Sequence, residues 1–231
     1  MKNSIQLILI LVAITILSCQ KQDGYVITGN VSGFPDSTMI YLRNLSTDET
    51  FDSTLIIGDK FKLTGKLTDE PEQIWLNAKV NNDLVYTSLL ICNEKVLVEG
   101  DISDFPLNVH ITGSKTQDDD NRLRDLTKSF DIKRDSIVQS FFKMPPEEQQ
   151  EKAKNIWNKQ IKPLDDTVRA LRVDYIKSNI NTYPAIINLG YLKKSLPKDT
   201  VQALYNKLND ELKASKYAQI IEIYLREKIS E

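Results

Sequence analysis

From Tyr25 to Gly113 apolar and polar residues alternate in short runs rich in Val, Ile, Thr and aromatics, broken by Gly, Pro, Asn and Asp. A period of two puts successive side chains on opposite faces of a strand, so this half predicts an antiparallel β domain with one face buried. The predicted strands are 25–31, 38–43, 53–57, 60–66, 73–79, 84–91, 95–99 and 107–111. Gly58-Asp59 predicts a tight hairpin between Leu55-Ile56-Ile57 and Phe61-Lys62-Leu63, because Gly adopts the positive φ that a two-residue turn demands. Asn81-Asn82-Asp83 turns the next pair. Thr-Gly closes or interrupts three strands, at Thr28-Gly29, Thr64-Gly65 and Thr112-Gly113. We read this as strand punctuation, not a duplicated domain.

After Gly113 the period lengthens. Asp118-Asp119-Asp120 opens a stretch with Leu123, Leu126, Phe130, Ile137 and Phe141 at the spacing of an amphipathic helix. Pro145-Pro146 ends it. The next helix aligns Ala153, Trp157, Ile161, Leu164, Val168, Leu171 and Tyr175 on one side, with a kink expected at Pro163. Three shorter helices follow. Pro184 stands near the start of the first (Ile186, Leu189, Leu192), Pro197-Lys198-Asp199 caps the second (Val201, Leu204, Leu208, Leu212), and Lys213-Ala214-Ser215 breaks the chain before the third (Ile220, Ile223, Tyr224). The expected fold class is therefore α+β: an antiparallel β-sandwich or barrel-like domain over residues 24–113, then a helical bundle over 114–231.

The start of the chain belongs to neither pattern. Met1 and Lys2 precede an apolar run from Ile5 to Leu17, interrupted only by Gln6 and Thr15. A bilayer-spanning helix needs about 20 apolar residues, whereas a shorter run behind a positive charge describes an export signal. Ile16-Leu17-Ser18-Cys19 resembles the lipobox of bacterial lipoprotein precursors, with Leu17 bulkier than the usual occupant. That resemblance implies a signal peptide over 1–18, diacylglyceryl transfer to the Cys19 sulfur, a tether over 19–23, and a protein held by lipid on the cell envelope, in the outer membrane with a periplasmic or surface face. An ordinary secretory signal with an incidental cysteine is the alternative.

Composition narrows the chemistry. The net charge is −2, and loss of Lys2 makes it one unit more negative, so no basic field exists to hold nucleic acid. The chain has two cysteines; with Cys19 acylated only Cys92 remains, which removes any internal disulfide, Cys-x-x-Cys pair or cysteine zinc site. Cys92, in Leu89-Leu90-Ile91-Cys92, reads as a small buried hydrophobe. His110 is the sole histidine and has no second ligand for a metal site or triad, so a structural role is expected. Asp118 to Asp120 lack calcium-loop spacing and read as a solvated acidic run leading a helix. No phosphate loop, nucleophile elbow or His-Glu-x-x-His sequence occurs, and no metal, cofactor or catalytic residue is expected. Carboxylate pairs meet only in three dimensions and stay open.

One tripeptide recurs: Asp, then Ser or Thr, then an apolar residue or Thr, at Ser37, Ser53, Ser136, Thr167 and Thr200. It resembles an O-glycosylation acceptor of Gram-negative envelope proteins; the plainer reading is that Asp-Ser and Asp-Thr favour turns and caps.

Tyr25-Val26-Ile27-Thr28-Gly29-Asn30-Val31-Ser32-Gly33 with Ile40-Tyr41-Leu42, then Phe51-Asp52-Ser53-Thr54, Gly58-Asp59-Lys60-Phe61-Lys62-Leu63-Thr64-Gly65 and Ile111-Thr112-Gly113-Ser114, resembles the DUF4369-type N-terminal domain. That domain precedes the thioredoxin-like module of TlpA- and ResA-like envelope thiol-disulfide oxidoreductases. The helical half is similar more loosely, at Tyr183-Pro184-Ala185 and Ser215-Lys216-Tyr217-Ala218. The family's catalytic Trp-Cys-x-x-Cys has no counterpart in this sequence, so the resemblance implies anchoring, fold and compartment but no redox residue. The leading expectation is a non-catalytic module that binds an envelope protein, peptide or glycan. The second is an accessory subunit working with a separate thioredoxin-like partner, and the third an enzyme with a carboxylate site.

Overall fold

The computed structural model describes residues 22–227. The strands are Tyr25–Ser32 (β1), Met39–Asn44 (β2), Thr50–Leu55 (β3), Lys60–Gly65 (β4), Glu72–Val80 (β5), Asp83–Ile91 (β6), Lys95–Asp101 (β7) and His110–Thr112 (β8). They form two four-stranded sheets, ordered β4-β1-β7-β8 and β3-β2-β5-β6. Alternation does its expected work: Ile27, Leu63, Val96, Val98 and Ile111 from one sheet meet Ile40, Leu42, Ile74, Leu76 and Ile91 from the other in a common core. The β half is thus sandwich-like, as its pattern predicts.

Three expectations are corrected. The sheets are not wholly antiparallel, since β1 and β7 run parallel, with Ile27 opposite Val96 and Gly29 opposite Val98. The chain crosses the whole second sheet between them, which leaves ample length for a same-direction return. Gly58-Asp59 does make a tight turn with φ of 55° and 62°, closed by Ile57 and Lys60, but it is not a hairpin within one sheet. It carries the chain from β3 in one sheet to β4 in the other, with Ile56 buried at the crossing. The last strand starts at His110, because a 3-10 turn at Ile102–Asp104, capped by the Asp101 side chain, first reverses the chain. Asn81 and Asn82, at φ 50° and 72°, join β5 to β6 with Val80 opposite Asp83, a true hairpin.

Gly29 shows what one of the Thr-Gly pairs is for. It sits opposite Phe61 in the β1–β4 ladder, and a Cβ there would fall inside the Phe61 ring. Tyr25 lies over Gly65 in the same ladder. Each glycine leaves its face open for the aromatic across from it.

The helices are Lys115–Phe142 (α1), Pro146–Ile156 (α2), Lys162–Ser178 (α3), Tyr183–Leu192 (α4), Lys198–Asn206 (α5), Asp210–Ala214 (α6) and Lys216–Arg226 (α7). Between α2 and α3 lies a π turn, Trp157–Ile161, in which the Lys162 N–H bonds the Trp157 carbonyl five residues back. The irregularity expected from Pro163 is therefore a π turn just ahead of the proline. The second of the short helices is also shorter than predicted. It stops at Asn206, Leu208 falls in the turn, and Leu212 belongs to α6, which Asn209 caps by accepting from the Leu212 N–H.

Ser114 caps α1 by accepting from the Gln117 N–H and donates its own hydroxyl to Glu94 at 2.6 Å. The first half of α1 lies on the sandwich, where Arg124 donates to the carbonyls of Ser88 and Pro106. α1 also packs on α3, from Tyr175 at Asp119 to Asp165 at Arg134, and meets α2 and the π turn. A second core, built on Ile176, Ile186, Leu189, Val201 and Ile221 with Leu90 of β6, holds the helices together. Tyr217 fastens them to the sheet by donating to the Pro71 carbonyl at 2.7 Å, and Lys216 pairs with Glu72 at 2.5 Å.

Since Val26 pairs with Lys95 and Thr112 with Leu97, the start of β1 and the start of α1 lie at the same end of the sandwich. Arg124 reaches Ser88 and Pro106 beside the middle of β6, where the Thr87 hydroxyl also donates to the Pro106 carbonyl.

Candidate binding site

Cys19 lies outside the described residues. Of the tripeptide positions, Ser37 is exposed at φ 65° in the turn before β2, and Ser53 is exposed on β3. Their aspartates act locally: Asp36 accepts from the Gly58 N–H at 3.1 Å, and Asp52 accepts from the Tyr25 hydroxyl at 2.5 Å and from the Ser53 N–H at 2.8 Å. Ser136 and Thr167 lie within α1 and α3, and Thr167 donates to the Pro163 carbonyl at 2.8 Å. Thr200 is half-buried in the first turn of α5. The five do not meet in one place.

His110 is exposed, opposite Glu99. Cys92 is half-buried, just past β6; burial first, and then the Glu94 charge, push its thiol up to about 11. At neutral pH it is a thiol with little nucleophilic character. The acidic run is not solvated as a unit. Asp118 is exposed, but Asp119 is buried, paired with Lys115 at 3.2 Å and bonded by Arg122, and its backbone carbonyl accepts from the Tyr175 hydroxyl at 2.8 Å. Asp120 is half-buried, and desolvation raises its carboxyl to about 6 against the opposing pull of Arg124 and Arg172. Among the described residues no group of three or more His, Cys, Asp and Glu side chains is placed to hold a metal ion.

Among the described residues, a concavity opens at the α1–α2 tip. Val138, Phe141 and Phe142 of α1 face Ala153 and Ile156 of α2 and Trp157 and Ile161 of the π turn across a groove of about 540 Å³. Pro145 and Pro146 turn the chain back so that the two helices enclose it. Phe141 and Phe142 meet edge to face at 5.5 Å. Phe142 is 67% exposed and Trp157 53% exposed, large apolar surface that a closed helix pair would have covered. The polar lining consists of Asn158, Lys154 and Arg134, whose Nε donates to Asp165 at 2.9 Å. With cations and an amide at its rim and no carboxylate, thiol, hydroxyl or imidazole in its lining, the groove is equipped to bind an apolar surface carrying negative charge.

The sequence pattern assigned Trp157 to a stripe covered by a partner helix. One signal pointed elsewhere: adjacent Phe141 and Phe142 diverge by about 100° around a helix, so one packed face cannot cover both.

Sandwich, helical half and groove together define a two-part α+β protein with an open apolar groove. Residues 25–119 match the family described as a domain of unknown function, DUF4369. The match takes in the sandwich and the first turn of α1, and it attaches no enzymatic activity to the chain. No curated protein matches the chain.

Proposed function

We propose that this protein is a lipid-anchored extracytoplasmic binding module, non-catalytic in itself, which holds an amphipathic helix of another envelope protein in the α1–α2 groove. The observation that carries the reading is the 540 Å³ apolar groove with exposed Phe142 and Trp157 at its mouth. Helix-in-groove recognition needs an apolar trough of this kind, and the Lys154 and Arg134 rim favours a helix with acidic flanks.

The anchored part rests on the sequence: residues 1–18 as leader, Cys19 as the acylated residue and 19–23 as tether, ahead of a β unit (24–113) and a helical unit (114–231).

Two measurements test it. Native protein should carry a diacylglyceryl-sized mass and partition into detergent, both lost in Cys19→Ser. A photo-crosslinking residue at Ala153, in the native envelope, should capture a different protein, and Val138→Lys should abolish the capture. Crosslinks only to lipid or to a second copy would overturn the reading.

A second reading, an accessory subunit of a TlpA- or ResA-like redox system, is favoured by Ile223, which α7 turns to solvent at 61% exposure. Ile223→Lys would then release a thioredoxin-like partner while Val138→Lys would not.

A further inference from the structure

We propose that the outward face of the β3-β2-β5-β6 sheet, with the cleft in which it ends, binds an acidic polysaccharide chain. This site is separate from the groove and does not rest on it.

The solvent face of an antiparallel sheet is ordinarily polar. Here it carries Tyr41 of β2, Trp75 of β5 and Tyr86 of β6, all half-exposed. The register sets them side by side. Tyr41 and Tyr86 both stand opposite Asn77, and Trp75 is the next residue of β5 on the same face. The Trp75 and Tyr86 rings lie 5.0 Å apart, tilted by 40°, and form a continuous aromatic floor. The Asn77 amide sits among the rings, 3.4 Å from the carbonyls of both Tyr41 and Trp75.

One step further along β5, Gln73 occupies the same face, and there the floor runs into a cleft of about 280 Å³ against α4 and α7. Tyr191 and Lys193 form its far wall, and Tyr191 donates to the Gln73 side chain at 2.6 Å while remaining 65% exposed. From Lys79 at the open end to Gln73 at the cleft, β5 runs about 20 Å.

Charge selects the ligand. Lys79 at one end makes no ion pair among the described residues, Lys193 lines the other, and Arg43 flanks Trp75 with Asp48 holding it at 2.6 Å. Among the described residues no Asp or Glu lines the cleft, and none occupies a strand position of that face. Aromatic faces are electron-rich and attract polarised C–H groups, which the faces of pyranose rings present. Asn77 and Gln73 can bond hydroxyls, and the terminal cations suit sugar carboxylates. An elongated floor with amides along it and cations at both ends fits a chain of acidic sugars.

The test uses Trp157→Phe, which leaves Trp75 as the one tryptophan of the chain's two. Oligogalacturonate should change Trp75 fluorescence saturably, the affinity falling as salt rises. Tyr86→Ala and Lys79→Gln should each weaken it at least about tenfold, Tyr86→Phe should retain it, and Val138→Lys in the groove should leave it unaltered. Urea unfolding of each variant separates lost binding from lost folding. No response to oligogalacturonate, an equal response to neutral dextran, or binding that survives both Tyr86→Ala and Lys79→Gln would overturn the proposal.

Discussion

Gln117, wholly buried in the first turn of α1, accepts the Leu90 N–H at 2.8 Å and so closes the outer edge of β6 with a helix side chain. Its amide also donates to Asn121, which in turn donates to the Ile111 carbonyl of β8 at 2.7 Å. One short chain of amides therefore seals the edges of both sheets on the same side of the sandwich, where unpaired strand edges would invite association. Gln117→Ala leaves the Leu90 N–H buried and unpaired. The expected loss is about 1–3 kcal/mol in urea unfolding.

Gly29→Ala places a methyl group in the space of the Phe61 ring, and the ring must leave its packed position. Overpacking of this kind costs about 1–3 kcal/mol. The double variant Gly29→Ala with Phe61→Leu should be less destabilised than the two single changes added together, which a double-mutant cycle of unfolding free energies measures.

Asp120 links stability to pH. Its carboxyl sits at about 6 in the folded protein, above the value near 3.9 of an unfolded chain. The folded state holds this proton more tightly, so the associated stability is full below about pH 4 and is lost as pH rises through about 6. In Asp120→Asn that loss is absent. The difference in urea midpoint between pH 4.5 and pH 7 should therefore shift toward greater stability at pH 7 in the variant.

Phe142 and Trp157 separate binding from folding. Both are more than half exposed, so Phe142→Ser and Trp157→Ser should each change stability by no more than about 0.5 kcal/mol. The same substitutions should abolish crosslinking from Ala153 in the groove.

Much of the fold was legible in local pattern. Each of the predicted strands overlaps an observed one, because alternation reports which face of a strand is buried. It does not report strand direction, so the parallel pairing of Ile27 with Val96 was invisible. Nor does a turn reveal whether its flanking strands share a sheet, and Gly58-Asp59 passes between two. The Asp118 to Asp120 run looked uniformly wet, yet consecutive helical residues are about 100° apart, so three in a row cannot all face water on a packed helix. Asp119 and Asp120 took the inward positions. The groove stayed hidden for another reason: spacing marks Trp157, Ala153 and Phe141 as one-sided, and only the assembled hairpin shows that Trp157 and Ala153 stay exposed among the described residues.

The π turn at Trp157–Ile161 accommodates one residue more than an α-helix would over the same stretch. Without it, the path from α2 to α3 would be a single phase of apolar positions, and everything upstream would be rotated by about 100° relative to α3. Trp157, Ile156 and Ala153 would then sweep around the axis, away from Phe141 and Val138. The groove therefore depends on a single helical residue held in surplus, and excising Asn158 would erase its aromatic wall while leaving every side chain that forms it in the sequence.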